Sequence, residues 1–201
     1  MFMRLCSPST PPASLRFYLP FSRRAIVVFA LIGSFGPQAL AASFTVTSSS
    51  LQIDHATTFT PVSSQITCAG GNRSPQLSWR NAPAGTRSFA ITVFDPDAPG
   101  RGVWHWAVAE IPATVSQLPE NASASGHLQR LGAMEARNDF GTEGYNGLCP
   151  PRGQTHRYII TVYALGTTGL HLAPGRPALM FDHELGLATL GSASLIVRYG
   201  R

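Results

Sequence analysis

The chain has 201 residues, 44% of them hydrophobic and only 12% charged, with a formal net charge of +5. All fifteen basic residues are arginine; four (Arg4, Arg16, Arg23, Arg24) precede residue 42, whereas all ten acids follow it, so residues 42–201 carry eleven arginines against ten acids, a net +1. That balance excludes a nucleic-acid partner argued from charge, and 160 residues suffice for one domain with a buried core.

Residues 1–24 are basic and rich in Pro and Ser, Ala25 to Gly36 is an apolar run, and Ala39-Leu40-Ala41 is a small-x-small cleavage signal. Together they predict a cleaved export peptide over 1–41 and a single domain over 42–201, periplasmic or secreted from a bacterium. The apolar run is too short to anchor the chain across a bilayer, so no transmembrane anchor is expected after cleavage. Ser22-Arg23-Arg24 also carries the paired arginines of a twin-arginine signal; ordinary secretion is the expected route. Export bears on the cysteines. Cys6 leaves with the signal, and Cys68 and Cys149 remain as an even pair in an oxidising compartment, which predicts a disulfide. Two free buried thiols are the competing reading; a zinc site ranks last because two cysteines do not complete its shell.

In chain order, alternation predicts short strands over Ser43–Thr47 and Leu51–Ile53, pairing at the start of a sheet. A turn-rich stretch over 54–75 surrounds the short segment Gln65 to Cys68; Gln76–Trp79 alternates again, and Asn81 to Gly85 is a turn. Arg87–Phe94 is a strand that runs into Asp95-Pro96-Asp97-Ala98-Pro99, and a Gly-rich turn returns the chain as a second strand ending at Ile111-Pro112. Each proline fixes its own φ and holds the preceding residue extended, so this loop is stiff. Alternation along the returning strand puts Val103, His105 and Ala107 on one face and Trp104, Trp106 and Val108 on the other. The two strand ends then set the Asp95 carboxylate against the His105 imidazole, able to hold its proton on one nitrogen and aim the other at a ligand. Asp97 is a possible further ligand contact, with loop capping the equal alternative.

From Thr114 to Thr155 periodicity is lost, apart from Leu118 and a turn of helix around Leu128–Glu135; a stretch this long is functional or disordered, and its aromatics, prolines and cysteine favour an ordered loop. His156–Leu165 is a β-branched and aromatic strand, apolar on both faces and therefore central. Ala178–Leu190 predicts a short helix from the spacing of Leu179, His183, Leu187 and Leu190, and Ser194–Tyr199 a last strand. The fold class is mainly β, an antiparallel sandwich with a short helix outside near its C-terminal end and long ordered loops. His55, His127 and His171 are expected in solvent, Trp79 and Tyr163 in the core, and Arg152 and Arg157 as surface arginines at most attracting anions to a rim.

Period two also places His156 and Tyr158 on one face, just after Cys149-Pro150-Pro151. Neither proline has an N–H, so a backbone donor there comes from Leu148, Cys149 or beyond. Two imidazoles, a phenol and a backbone N–H predict a donor-rich hole for phosphate, a phosphomonoester or a carboxylate.

Asp95 to Pro99, Trp104-His105-Trp106 and Cys149-Pro150-Pro151-Arg152-Gly153-Gln154-Thr155-His156-Arg157-Tyr158 resemble the signature segments of the phosphatidylethanolamine-binding protein family. Cys68-Ala69-Gly70-Gly71-Asn72-Arg73-Ser74-Pro75 is similar to a segment of its bacterial Raf-kinase-inhibitor-like branch, as is the tail His183 to Arg201; Leu148 stands where that branch usually has proline. The resemblance implies an anion pocket at strand ends, lined by Asp95, His105, Cys149, Pro150, His156 and Tyr158, with Pro151 a possible wall, and ligands that are phosphorylated head groups. It implies a binder or regulator, with no cofactor or metal and no catalytic residue. Two alternatives stand beside that reading: a protease- or kinase-inhibitor-like module whose pocket accepts a protein partner, and a metal-assisted hydrolase using Asp95, His105 and His156. The hydrolase ranks lower because no nucleophile motif such as Gly-x-Ser-x-Gly is present.

Overall fold

The computed structural model describes residues 42–51, 64–170 and 175–201. The expected export segment 1–41, most of the expected strand Leu51–Ile53, and His55 and His171 lie outside these residues.

Two antiparallel sheets carry the fold. The smaller has the order β1 (Thr45–Thr47), β2 (Leu77–Arg80), β5 (Gln117–Leu118). The larger has the order β6 (Met134–Glu135), β4 (Val103–Pro112), β3 (Ser88–Asp95), β7 (Thr155–Leu165), β8 (Thr189–Gly200). β1 pairs directly with β2, Val46 opposite Trp79. The Gln65 segment forms one short 3-10 turn, Ser64–Ile66.

Alternation decides which residues face inward. Phe89, Ile91 and Val93 of β3, Tyr158, Ile160 and Val162 of β7, and Ala193, Leu195 and Val197 of β8 meet Val46, Leu77, Trp79 and Leu118 of the smaller sheet in the main core. Trp79 closes one end of this core edge-on to Phe89 at 5.3 Å. The opposite parity of the large sheet, Ala90, Ala107 and Ala109 with Trp104, packs with Phe181 and Leu185 of α2 (Leu179–Ala188) in a second apolar layer. Small alanines on that face let the helix lie close. β7 is central, with β3 on one side and β8 on the other.

The face of α2 marked by Leu179, His183, Leu187 and Leu190, whose spacing predicts the helix, is outward: Leu187 is 79% exposed, whereas Phe181 and Leu185 are buried. Strong helical spacing of leucines identified a face without identifying which face has a sheet beneath it. The turn of helix expected over Leu128–Glu135 is shorter: α1 (His127–Leu131) stops at Gly132, whose φ of 76° ends it in the left-handed conformation, and Met134–Glu135 goes on as β6 against β4. His127 is half-buried at the start of α1, where solvent was expected. Trp104 and Trp106 are on different faces, because β4 is bulged. The register steps from Val93↔Trp106 to Phe94↔Trp104, leaving His105 without a partner of its own on β3. The extra residue shifts parity, so Trp104 joins the helix-side layer while Trp106 joins the main core.

Candidate functional site

The C-terminal end of β3 and the N-terminal ends of β4 and β7 meet at one end of the large sheet. Asp95 is the last residue of β3 and is 3% exposed. Its Oδ1 accepts the backbone N–H groups of Asp97 (2.9 Å) and Ala98 (3.1 Å), so the carboxylate organises the very loop that Pro96 and Pro99 stiffen. Gly102 completes the turn at φ 81°, and a Cβ there would collide with the Phe94 ring and the Asp95 carbonyl.

The partner of Asp95 is His156. The β3–β7 register, with Phe94 opposite Ile159, brings the start of β7 alongside the Asp95 turn, and His156 Nδ1 lies 2.8 Å from Asp95 Oδ2 with both residues buried. His156 Nε2 faces Gln154 Oε1 at 3.1 Å, so both ring nitrogens point at oxygens of this chain. His105, expected opposite Asp95, is instead held by carbonyls: its Nδ1 donates to Asn146 O (3.0 Å) and Gly147 O (3.1 Å). The bulge turns the ring toward the 145–149 segment, and these two acceptors fix the proton on Nδ1. Burial pushes the imidazole below its ordinary range, against the opposing pull of the two carbonyls and of Asp95 and Asp139. At neutral pH His105 is therefore uncharged, and its Nε2 presents a lone pair.

Tyr158 stands between them. Its ring meets His105 edge-on at 5.3 Å, its side chain is fully buried, and its hydroxyl has no hydrogen-bond partner. The Cys149 backbone and the Asp95 carboxylate both act on this hydroxyl, but neither reaches bonding geometry; burial is the largest influence and holds it as a phenol.

The 145–149 segment is stitched to residues 66–72. Tyr145 donates to Ile66 O (2.6 Å), Gly147 N–H donates to Asn72 Oδ1 (2.5 Å), and Leu148 N–H to Ile66 O (3.2 Å). Cys68 and Cys149 form a disulfide, 5.4 Å between Cα atoms and 81 residues apart in the chain. Gly147 approaches so closely that a Cβ would collide with the Thr67–Cys68 peptide. Pro150 follows, buried, its carbonyl accepting from Arg201 Nε (2.7 Å); Pro151 is exposed.

Asp97 lies outside the buried cluster. Its carboxylate accepts from the Arg157 backbone N–H (2.7 Å) and from Nε and Nη2 of the Arg157 guanidinium, and these bonds hold it down at about 2. It straps the β3–β4 loop to β7. Arg152 is exposed.

The donor-rich hole expected from the sequence is thus a different object. The His105 proton, both His156 nitrogens and the Leu148 N–H are engaged within the chain, leaving the Tyr158 hydroxyl as the buried side-chain donor. Among the described residues, no three His, Cys, Asp or Glu side chains converge as a metal site. Sequence reasoning missed Asn146 and Gly147, whose carbonyls rather than side chains matter, and Phe140, whose 48% exposed ring covers His105 at 5.1 Å. Gln154 was findable: it lies two residues before His156, one strand period away. A cavity of about 560 Å³ lies apart from this cluster, lined by residues including Asn72, Ser123, Glu135 and Tyr145.

A two-sheet sandwich with one helix outside and a buried carboxylate–imidazole pair at the strand ends defines a β-sandwich binding protein in architecture. The phosphatidylethanolamine-binding protein model matches residues 49–200, and the chain belongs to that family. It is 38% identical over 179 residues to YbcL of Escherichia coli, covering 88% of this chain and 98% of the relative, and 41% identical over 131 residues to YbhB of the same organism, covering 65% and 83%. The crystal structure of YbcL, described as a new member of the mammalian family, superposes with a TM-score of 0.73 over 80% of this chain and 99% of that one. A candidate lipoprotein of Mycobacterium tuberculosis, LppC, is 36% identical over 138 residues, 68% of this chain and 64% of its own.

Proposed function

We propose that this chain is an exported, non-catalytic binding protein that takes a small oxyanion, a phosphate or phosphorylated head group, at the cluster of Asp95, His105, Cys149, Pro150, His156 and Tyr158. The observation that carries the reading is the Tyr158 hydroxyl: a buried phenol without a partner is costly, by about 1–3 kcal/mol, and a ligand oxygen relieves that cost. Family membership supports a binding role, and the cleavage signal at Ala39-Leu40-Ala41, the disulfide and the lipoprotein relative support export. The four buried side chains are each at most 5% exposed, and the half-exposed Phe140 ring lies against His105 at 5.1 Å.

The test is calorimetric titration of the purified chain with phosphate and phosphoethanolamine, beside Tyr158→Phe and His156→Ala. Saturable binding in the parent, weakened about ten-fold by Tyr158→Phe and lost in His156→Ala, is expected. Absence of binding, or binding indifferent to both substitutions, removes the oxyanion site and leaves protein-partner recognition as the reading.

A further inference from the structure

The helix-side face of the large sheet holds a cavity of about 300 Å³, on the opposite face of the sheet from Tyr158. Alternation fixes its floor. Ala90, Thr92 and Phe94 of β3 face away from the main core; Phe181 and Leu185 of α2 pack in the layer that holds Ala90, while the first turn of the helix, Leu179 and Asp182, borders the cavity that Thr92 lines. Thr92 stands opposite Thr161 of β7, and Thr161 opposite Ser194 of β8, so three hydroxyl residues form a row across the sheet. Thr161 Oγ1 and Ser194 Oγ bond to each other at 2.9 Å, which leaves Thr92 out: it is 2% exposed, and its hydroxyl has no hydrogen-bond partner among the described residues. A buried hydroxyl in that state is uncommon, because nothing offsets its desolvation. The walls are Phe94 and Trp104, with ring centroids 4.7 Å apart, and Ile159 and Tyr163 of β7. Arg101, from the β3–β4 loop, and Asp182 line the same cavity; both are exposed, and neither has a hydrogen-bond or ion-pair partner among the described residues. Two opposite charges thus border one apolar cavity without neutralising each other.

A ligand matched to this lining carries an anion for Arg101, a cation for Asp182, a flat apolar body for the aromatic walls and a polar tip for Thr92. An ion of one sign is attracted by one of the two charges and repelled by the other, and a plain hydrocarbon leaves the hydroxyl unpaired. We propose that the cavity is a second binding site, for a free aromatic α-amino acid as its zwitterion: the carboxylate on Arg101, the ammonium on Asp182, the ring against Phe94 and Trp104, and a tyrosine hydroxyl or tryptophan indole N–H bonded to Thr92. The volume lies at the lower end of the range for small-molecule sites, which suits a ligand of this size. Phenylalanine fits the same walls but leaves Thr92 unpaired, and leucine also forfeits the ring contacts. The site shares no residue with the oxyanion cluster and stands independently of it.

The experiment is an NMR titration of the isotope-labelled purified chain with L-tyrosine, L-phenylalanine and L-leucine, and with tyramine, which lacks the carboxylate. Tyrosine is expected to give saturable shifts of the Trp104 indole N–H and of the Thr92 and Thr161 amides, with phenylalanine about ten-fold weaker and no saturation by leucine or tyramine. Thr92→Val keeps the side-chain shape and removes the hydroxyl, so tyrosine falls to the level of phenylalanine while phenylalanine is not weakened. Arg101→Gln and Asp182→Asn remove exposed charges that have no partner in the chain; each leaves Tm unchanged and weakens tyrosine about ten-fold. If Thr92→Val does not fold, the parent's preference for tyrosine over phenylalanine decides the role of the hydroxyl. No saturable shift with either aromatic amino acid, shifts centred on His105 and Tyr158 instead, or equal binding of tyrosine and tyramine overturns the site. Tyrosine affinity that survives both Arg101→Gln and Asp182→Asn overturns the zwitterion as its ligand.

Discussion

Single side chains here are used mainly against one another. Asp97 and Arg157 form a forked pair at the surface, and the guanidinium holds the carboxyl at about 2, below its ordinary 3.8. Because the folded pKa is the lower, the pair stabilises above about pH 4 and that contribution is lost as pH falls toward 2. Asp97→Asn should therefore lower Tm at pH 7 by a small amount, since the pair is exposed, and leave Tm unchanged at pH 2; a thermal melt at each pH checks it. His105 acts with the same sign. Its folded pKa lies below the ordinary 6.5, so the unfolded chain binds the proton more readily and stability declines as pH falls below that value. In His105→Gln the acid limb of a Tm–pH profile between 6.5 and 5 should be flatter than in the parent. Asp95 differs from both because it is buried on His156: Asp95→Asn leaves that imidazole without its carboxylate and should cost more than the surface pair does, read by urea denaturation at pH 7.

Elements set which of those side chains can meet. The α2 helix is held through Phe181 and Leu185 against an alanine-rich face of the sheet, with Leu187 in solvent. Phe181→Ala should cost about 3–5 kcal/mol and Leu187→Ala less than about 0.5 kcal/mol in denaturant unfolding, a contrast that reverses if the leucine face were the buried one. The bulge in β4 is the corresponding device at the site. It separates Trp104 from Trp106 and aims His105 at the carbonyls of Asn146 and Gly147. Gly147 holds those carbonyls in place by passing within van der Waals reach of the Thr67–Cys68 peptide, so Gly147→Ala should weaken phosphate binding together with stability. Calorimetry and a melt on the same sample read both.

At the scale of the molecule, the wall of the site comes from segments far apart in sequence. The Cys68–Cys149 disulfide closes a loop of about eighty residues, for which chain entropy allows roughly 4–5 kcal/mol. Replacing both cysteines with serine should lower unfolding free energy by about 2–5 kcal/mol and, by freeing the segment before Pro150, reduce phosphoethanolamine affinity; reduction of the parent with dithiothreitol should have the same two effects. Between residues 66–72 and 145–149 the backbone bonds and the Tyr145 hydroxyl remain, so the double variant should still fold as a sandwich by circular dichroism.

Read alone, the chain determined what depends on neighbours in sequence. Period-two alternation placed β2, β3, β4 and β7 to within a few residues, found the C-terminal half of β8 but not its start at Thr189, and put His156 and Tyr158 on one face; the two cysteines outside the expected leader suggested their own pairing; the order of Asp95–Pro99, Trp104–Trp106 and Cys149–Tyr158 pointed to the family. It left undecided everything set by competition between distant groups. Whether Asp95 takes His105 or His156 depends on strand register and on one bulged residue, which no periodicity announces. Whether His105 donates to a ligand depends on two carbonyls that any residue could have supplied. Which face of α2 is buried depends on what lies beneath it. Hydrogen bonds and burial are settled between partners brought together only by folding, so the tertiary structure alone could show that the Tyr158 hydroxyl is the buried donor left without a partner at the site.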